Sequence, residues 1–181
     1  MRLSFGPLSA LAGAMLVADG CASPPTVPPP EVPLALRPPS GEVLFLEARA
    51  SGVQIYECTP KLGQPLSYEW TFRAPEAVLA DRKGRSLGKH YAGPTWESDD
   101  GSSVVGDVKA RDPGPSAAAI PWLLLSAKST KGTGVFGATR SIQRLQTVGG
   151  VAPTEPCSAS TAAKVARVPY TATYYFYRMA P

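Results

Sequence analysis

The side chains able to do chemistry concentrate in one stretch, His90 to Gly106 (HYAGPTWESDDGSSVVG), which holds the chain's only histidine, a tyrosine, a tryptophan and the carboxylates Glu97, Asp99 and Asp100. A histidine with a carboxylate and a serine can form a nucleophilic triad. No G-x-S-x-G turn or other nucleophile signature accompanies this one. Two carboxylates perform glycoside hydrolysis only when they face each other across a sugar, whereas Glu97 and Asp99 fall on one side of one strand. Glu97, Asp99 and Gly101 imitate an oxygen-ligand loop for calcium, but Val108 stands where the closing bidentate glutamate would be needed. Binding is the reading these residues favour. Tyr91, Trp96 and Trp122, with His90, Glu97 and Asp99 as polar partners, are the types that line a small-molecule or sugar pocket. The candidate ligand site is therefore His90, Tyr91, Trp96, Glu97 and Trp122, with core packing of the aromatics as the structural alternative. No catalytic residue, cofactor or metal site is assigned.

The elements that must position these residues read as strands. Leu66, Tyr68, Trp70 and Phe72 alternate with Ser67, Glu69, Thr71 and Arg73, the period of a strand with one face in a core. Val104, Gly106, Val108 and Ala110 repeat the pattern. Shorter candidates are residues 43–48, 53–58, 86–92, 122–128 and 141–148. In the last candidate, YTATYYFYR (170–178), Tyr170, Tyr174 and Phe176 point one way and Tyr175 and Tyr177 the other. Turn chemistry at Ser51-Gly52, Lys83-Gly84, Asp99-Asp100-Gly101 and Gly132 to Gly134 separates the runs. The spacing predicts a single all-β domain, an antiparallel sandwich or barrel. One short helix is expected at most, over the alanine-rich residues 158–165, with Ser158 as its cap.

The net charge of +4 is mild and the lysines and arginines are scattered, apart from a small cluster at Arg82, Lys83 and Arg85. Nothing resembles the basic stripe that nucleic-acid binding needs. Cys58 and Cys157 are too far apart for a redox C-x-x-C, and no His or Cys cluster could hold zinc. One structural disulfide is expected, with two buried free thiols as the alternative.

The N-terminal twenty residues carry Arg2, an apolar run from Leu8 to Ala18, and Gly20 before Cys21, the pattern of a signal peptide. The run is too short to stay in a bilayer, which takes about 20 apolar residues. Ala18, Asp19, Gly20 and Cys21 resemble the bacterial lipoprotein box whose cysteine receives the lipid. Ala18 and Asp19 depart from that box, so a plain secretory cut, for instance after Ala22, is the alternative. Eight prolines between Ala22 and Pro39 then read as a spacer in extended polyproline II, at about 3.1 Å per residue. The expected organisation is a signal peptide at 1–20, a proline-rich linker at 21–40 and the all-β domain at 41–181. The expected location is extracytoplasmic, either anchored to the cell-envelope membrane through lipid on Cys21 or secreted into the periplasm or beyond.

Several long segments carry a family resemblance: GEVLFLEARASGVQIYEC, WTFRAPEAVLAD, GKHYAGPTWESDDGSSVVG, AIPWLLLSAKS, GVFGATRSIQRLQTVGGVAP and VPYTATYYFY. Together, over about residues 40–178, they resemble the bacterial and fungal family catalogued as domain of unknown function 3455. The resemblance implies an extracytoplasmic protein and supplies no activity. The resulting expectation is a non-catalytic small-molecule or carbohydrate binding module. The alternatives are an envelope hydrolase using His90 with Glu97 or Asp99, and a structural or adhesion protein whose partner face is the aromatic C-terminal strand.

Overall fold

The structure, a computed structural model, describes Met1 and residues 28–181. Cys21, the expected signal peptide after Met1 and the first part of the expected linker lie outside the described residues. The alternating runs form eight strands: β1 (Glu42–Lys61), β2 (Gln64–Ala80), β3 (Ser86–Tyr91), β4 (Thr95–Ser98), β5 (Ser103–Asp112), β6 (Trp122–Lys131), β7 (Ser141–Gly149) and β8 (Val165–Met179). Each pairs antiparallel with the next, and β8 closes on β1, so the sheet is a barrel rather than a sandwich. Closure removes the free edges within the barrel itself and forces the period-two pattern to sort residues into an inside and an outside. In β8, Tyr170, Ala172, Tyr174 and Phe176 enter the main core, while Tyr175 and Tyr177 join a second cluster on the outer wall. The outer wall also carries Glu47, Arg49, Lys89, Glu97, Asp107 and Lys109 in surface ion pairs, unlike the apolar belt of a membrane barrel. Among the described residues, no helix is long and apolar enough to cross a membrane.

Several elements differ from the expectation, each for a local reason. Ser51 and Gly52 make no turn, because β1 runs straight through them. Gly52 lies opposite Ala77, and a Cβ added there would fall 2.5 Å from the Ala77 Cα, so the glycine serves a close backbone approach. The stretch Leu66 to Phe72 alternates without facing the core, with Leu66 95% and Phe72 48% exposed. There β2 has left the barrel: it pairs with β3 only over Ala77–Ala80, while its earlier residues pair with β1 alone. The resulting β1–β2 arm, flanked by the start of β8, projects past one rim. Strand β4 is the four-residue return of the hairpin from β3 and ends at Ser98, so it holds Glu97 while Asp99, expected on the same strand, falls in the turn beyond it. The expected helix is reduced to a 3-10 turn, Ala159–Thr161, because Ala163 takes φ 63° and hands its N–H to the Cys58 carbonyl.

One end of the barrel is closed. Phe136, in the loop between β6 and β7, is fully buried with its ring 4.8 Å from Phe176, and its N–H donates to Ser102 Oγ at 3.1 Å. At the opposite end the connections from β5 to β6 and from β7 to β8 meet through a bridge between Ala119 and Gly150 and leave the interior partly open. The expected Cys58–Cys157 disulfide forms, with Cα atoms 5.5 Å apart, and ties the β7–β8 connection to the arm. In the chain-entropy view, closing a loop of this size stabilises the fold by about 4–5 kcal/mol. The last residues of the expected linker pack on the barrel. Leu34–Leu36 form a 3-10 turn, Leu36 is buried against Leu145, Tyr175 and Tyr177, and Gln143 Nε2 donates to the Leu36 carbonyl at 2.7 Å.

Candidate binding site in the barrel mouth

The β3–β4 hairpin carries most of the candidate residues and divides them between its faces. His90 pairs with Trp96 and Lys89 with Glu97 across the hairpin. Successive strand residues point to opposite sides, so His90 and Trp96 turn inward while Tyr91 and Glu97 turn outward. Inside, the His90 ring stacks on Trp96 with centroids 4.4 Å apart, and the Tyr174 edge meets both rings at 5.1 and 5.2 Å. Gly106 of β5 lies under the indole, where an added Cβ would come within 2.9 Å of the Trp96 ring. His90 Nδ1 donates to the Thr95 carbonyl at 2.8 Å, which leaves Nε2 as the acceptor nitrogen. Burial pushes the His90 pKa down to about 3, so the ring is neutral.

Outside, Tyr91 donates its hydroxyl proton to Glu97 Oε2 at 2.6 Å, and Lys89 pairs with Glu97 Oε1 at 3.0 Å. The Tyr91 hydrogen bond and the Lys89 ammonium hold the Glu97 carboxyl below its ordinary range. Asp99 sits in the next turn and accepts from Ser86 Oγ at 2.6 Å. The pairing that a hydrolase would need, His90 with Glu97 or Asp99, is therefore split by the barrel wall. Trp122 is also outside, packed with the Leu36 cluster. The structure thus brings two of the five candidates together, His90 and Trp96, and leaves Tyr91, Glu97 and Trp122 on the outer wall. Tyr175 and Tyr177, considered as a partner face, are covered by the chain's own Leu36 segment. The carboxylate turn works as a structural knot: Asp100 accepts from Ser102 N, Ser102 Oγ and Val135 N. Among the described residues, no group of three His, Cys, Asp or Glu side chains could hold a metal ion.

Above His90 and Trp96 the barrel opens into a cavity of about 520 Å³. Ligand pockets fall at about 300–1,000 Å³. Its apolar wall comes from residues such as Phe72, Val108, Ile120, Leu123 and Leu125, and its polar groups from Gln54, Tyr56, His90, Arg144 and Tyr174, with Arg73 and Arg111 as further charged lining. Tyr56 is fixed by donating to the Gly150 carbonyl at 2.7 Å. Arg144 donates from Nε and Nη2 to the Pro121 carbonyl at 3.1 and 2.8 Å. Burial lowers the Arg144 pKa, opposed by the neighbouring Tyr174 and Tyr170, and the group stays charged. Gln54 Nε2, Trp96 Nε1 and the Tyr170 and Tyr174 hydroxyls are buried without a hydrogen-bond partner. The four groups Tyr170, Tyr174, Gln54 and Arg144 adjoin one another: Tyr174 lies beside both Tyr170 and Arg144, and Tyr170 beside Gln54, close enough for weak polar contacts although none meets strict hydrogen-bond geometry. Most buried polar groups in folded proteins find partners, so the four orphaned atoms are exceptions, and they gather at one end of the barrel.

Sequence reasoning missed Gln54, Tyr56, Arg144 and Tyr174 as site residues. The signal was available in β7, where Arg144 occupies the same face as the core residue Ile142. A larger concavity, about 1130 Å³, lies between the Pro28 to Pro39 segment and the outer wall. It is a groove between that segment and the barrel, and its polar lining, Glu31, Arg37, Ser40, Glu42 and Tyr177, mixes charges of both signs.

A family model described as "Protein of unknown function (DUF3455)" matches residues 39–178. No curated protein and no solved structure matches the chain.

Proposed function

We propose, for a chain that belongs to the DUF3455 family of proteins of unknown function, a non-catalytic role: binding a small molecule in the mouth of the barrel. The observation that carries this reading is the cavity of about 520 Å³, whose apolar wall surrounds buried polar groups that lack partners. Eight-stranded barrels are wide enough to hold one small ligand. The ligand has an apolar body rather than a sugar's polar faces, because Trp96 is 1% exposed and one face of its indole is already stacked by His90. The reading extends to an extracytoplasmic setting, with lipid on Cys21 and the proline-rich segment as spacer. It is supported by the signal-like run before Cys21 and by a disulfide of the kind that persists in oxidising compartments.

A neutral fluorescent probe tests the binding role without testing charge preference. N-phenyl-1-naphthylamine should bind saturably at one site per chain, and Val108→Trp, which fills the cavity, should abolish binding while the protein stays folded by circular dichroism. Unsaturable fluorescence, or binding unchanged in the Val108→Trp protein, would remove the reading. The location is tested separately by intact mass of protein recovered from a bacterial membrane. A free amine at Ser23 would rule out the lipid anchor.

A further inference from the structure

The charges around the cavity are of one sign. Its lining contains Arg73, Arg111 and Arg144 and no aspartate or glutamate. Arg73 is already neutralised, since its Nε donates to Glu57 Oε2 at 2.8 Å. Arg111 and Arg144 pair with no carboxylate among the described residues. Arg144 is the deeper of the two, and the Pro121 carbonyl occupies only its Nε and Nη2 donors. A guanidinium carries five N–H donors in a planar fork and accepts none, so donors remain beyond those on Pro121, with the Tyr174 hydroxyl as the neighbouring side chain that raises the Arg144 pKa through a weak hydrogen bond.

The other orphans point the same way. Among the lining residues, Gln54 Nε2, Trp96 Nε1 and the Tyr174 hydroxyl are all buried, able to donate and unpartnered. A cavity that gathers several donors around an unpaired cation is complementary to an acceptor-only group carrying negative charge. We propose that the mouth cavity takes a ligand with a carboxylate head and an apolar body, the carboxylate docking on Arg144 with Gln54 and Tyr174 as further donors. This rests on the reading of the cavity as a small-molecule site. The planar fork suits a carboxylate bidentately, and one buried arginine balances one negative charge. A phosphate dianion would be left in excess of it. Arg111, exposed at the rim, adds attraction during entry and makes no defined contact with the head group.

Two matched pairs of probes test the assignment by titration calorimetry on the full chain: 2-naphthoate against 2-naphthamide, and decanoate against decanamide. In each pair that binds, the acid should bind about tenfold or more tightly than the amide, the gain typical of a charge-assisted bond. Arg144→Met should bring the acid's affinity down to the amide's and leave the amide's unchanged, while Arg144→Lys keeps part of the preference. If Arg144→Met does not fold, the comparison within the unaltered protein still decides. Equal affinity for acid and amide overturns the carboxylate assignment and leaves the small-molecule reading standing. Binding of 2-naphthyl phosphate more tightly than 2-naphthoate overturns it as well. So does failure of all four probes while N-phenyl-1-naphthylamine binds. Failure of that neutral probe too removes the small-molecule reading itself.

Discussion

At the closed end of the barrel, Asp100 meets three donors from its own turn and from the β6–β7 loop, whereas at the mouth Arg144 meets one backbone carbonyl and no carboxylate. The same eight strands supply both ends. At the closed end Phe136 fills the interior, and the orphaned side-chain atoms are Thr139 Oγ1 in the loop and Glu42 Oε2 at the start of β1. At the mouth the interior is left open, and Gln54, Trp96, Tyr170 and Tyr174 each keep a buried polar atom without a partner. A buried donor left unmade costs about 1–3 kcal/mol. On the proposed reading, the filled end carries stability and the open end carries binding.

The largest effect should separate the two ends directly. Phe136→Ala at the closed end should cost about 3–5 kcal/mol by urea denaturation, the usual loss for emptying a buried aromatic site. Arg144→Met at the mouth should cost clearly less, about 1 kcal/mol, since relief from burying a cation without a carboxylate offsets the loss of the donor to the Pro121 carbonyl. A severe loss from Arg144→Met would mean that the mouth is held together as the closed end is.

The second test is pH dependence. The folded protein keeps His90 neutral down to a pKa of about 3, while the unfolded chain takes up a proton below about 6.5. Protons therefore favour the unfolded state in that window. Stability from this group is complete above about pH 6.5 and is lost as pH falls towards 3, by up to about 1.4 kcal/mol per pH unit. Urea denaturation at pH 7, 5 and 4 should show this slope in the natural protein and lack it in His90→Gln.

Asp100 gives a smaller effect further into acid. Hydrogen bonds from Ser102 and Val135 hold its pKa down to about 2, so its contribution is present above the ordinary carboxylate range and fades as pH falls through about 2. Asp100→Asn should lower the melting temperature at pH 7 and by less at pH 2, with binding at the mouth untouched. The smallest effect belongs to the outer wall. Glu97→Gln should alter neither probe affinity nor melting temperature measurably, because Glu97 bonds only to exposed Lys89 and to Tyr91 on the face away from the cavity.

Much of this architecture was legible in the sequence because β-strands sort residues by twos. Tyr174 and Phe176 against Tyr175 and Tyr177 divide as the alternation requires, and Cys58 meets Cys157. The same rule argued against grouping His90 with Tyr91, or Trp96 with Glu97, on one face: neighbours in a strand face apart. Arg144 was legible in the same way, as a charge in register with Ile142. Other features depend on distant partners. The departure of Leu66 to Phe72 from the barrel follows from where β3 ends, and alternation is silent on that. Leu36 sits in a proline-rich stretch that favours extension, and only the outer groove of Leu145, Tyr175 and Tyr177 explains its burial.

The central claim, that the mouth beside His90 and Trp96 is the binding site, has a direct spectroscopic test because the chain has one histidine and three tryptophans. Addition of N-phenyl-1-naphthylamine, followed by NMR of the imidazole and indole signals, should shift His90 and Trp96 saturably and together. Trp70 on the arm and Trp122 on the outer wall should stay unmoved. Shifts confined to Trp70 or Trp122, with His90 and Trp96 unchanged at saturation, would contradict the account.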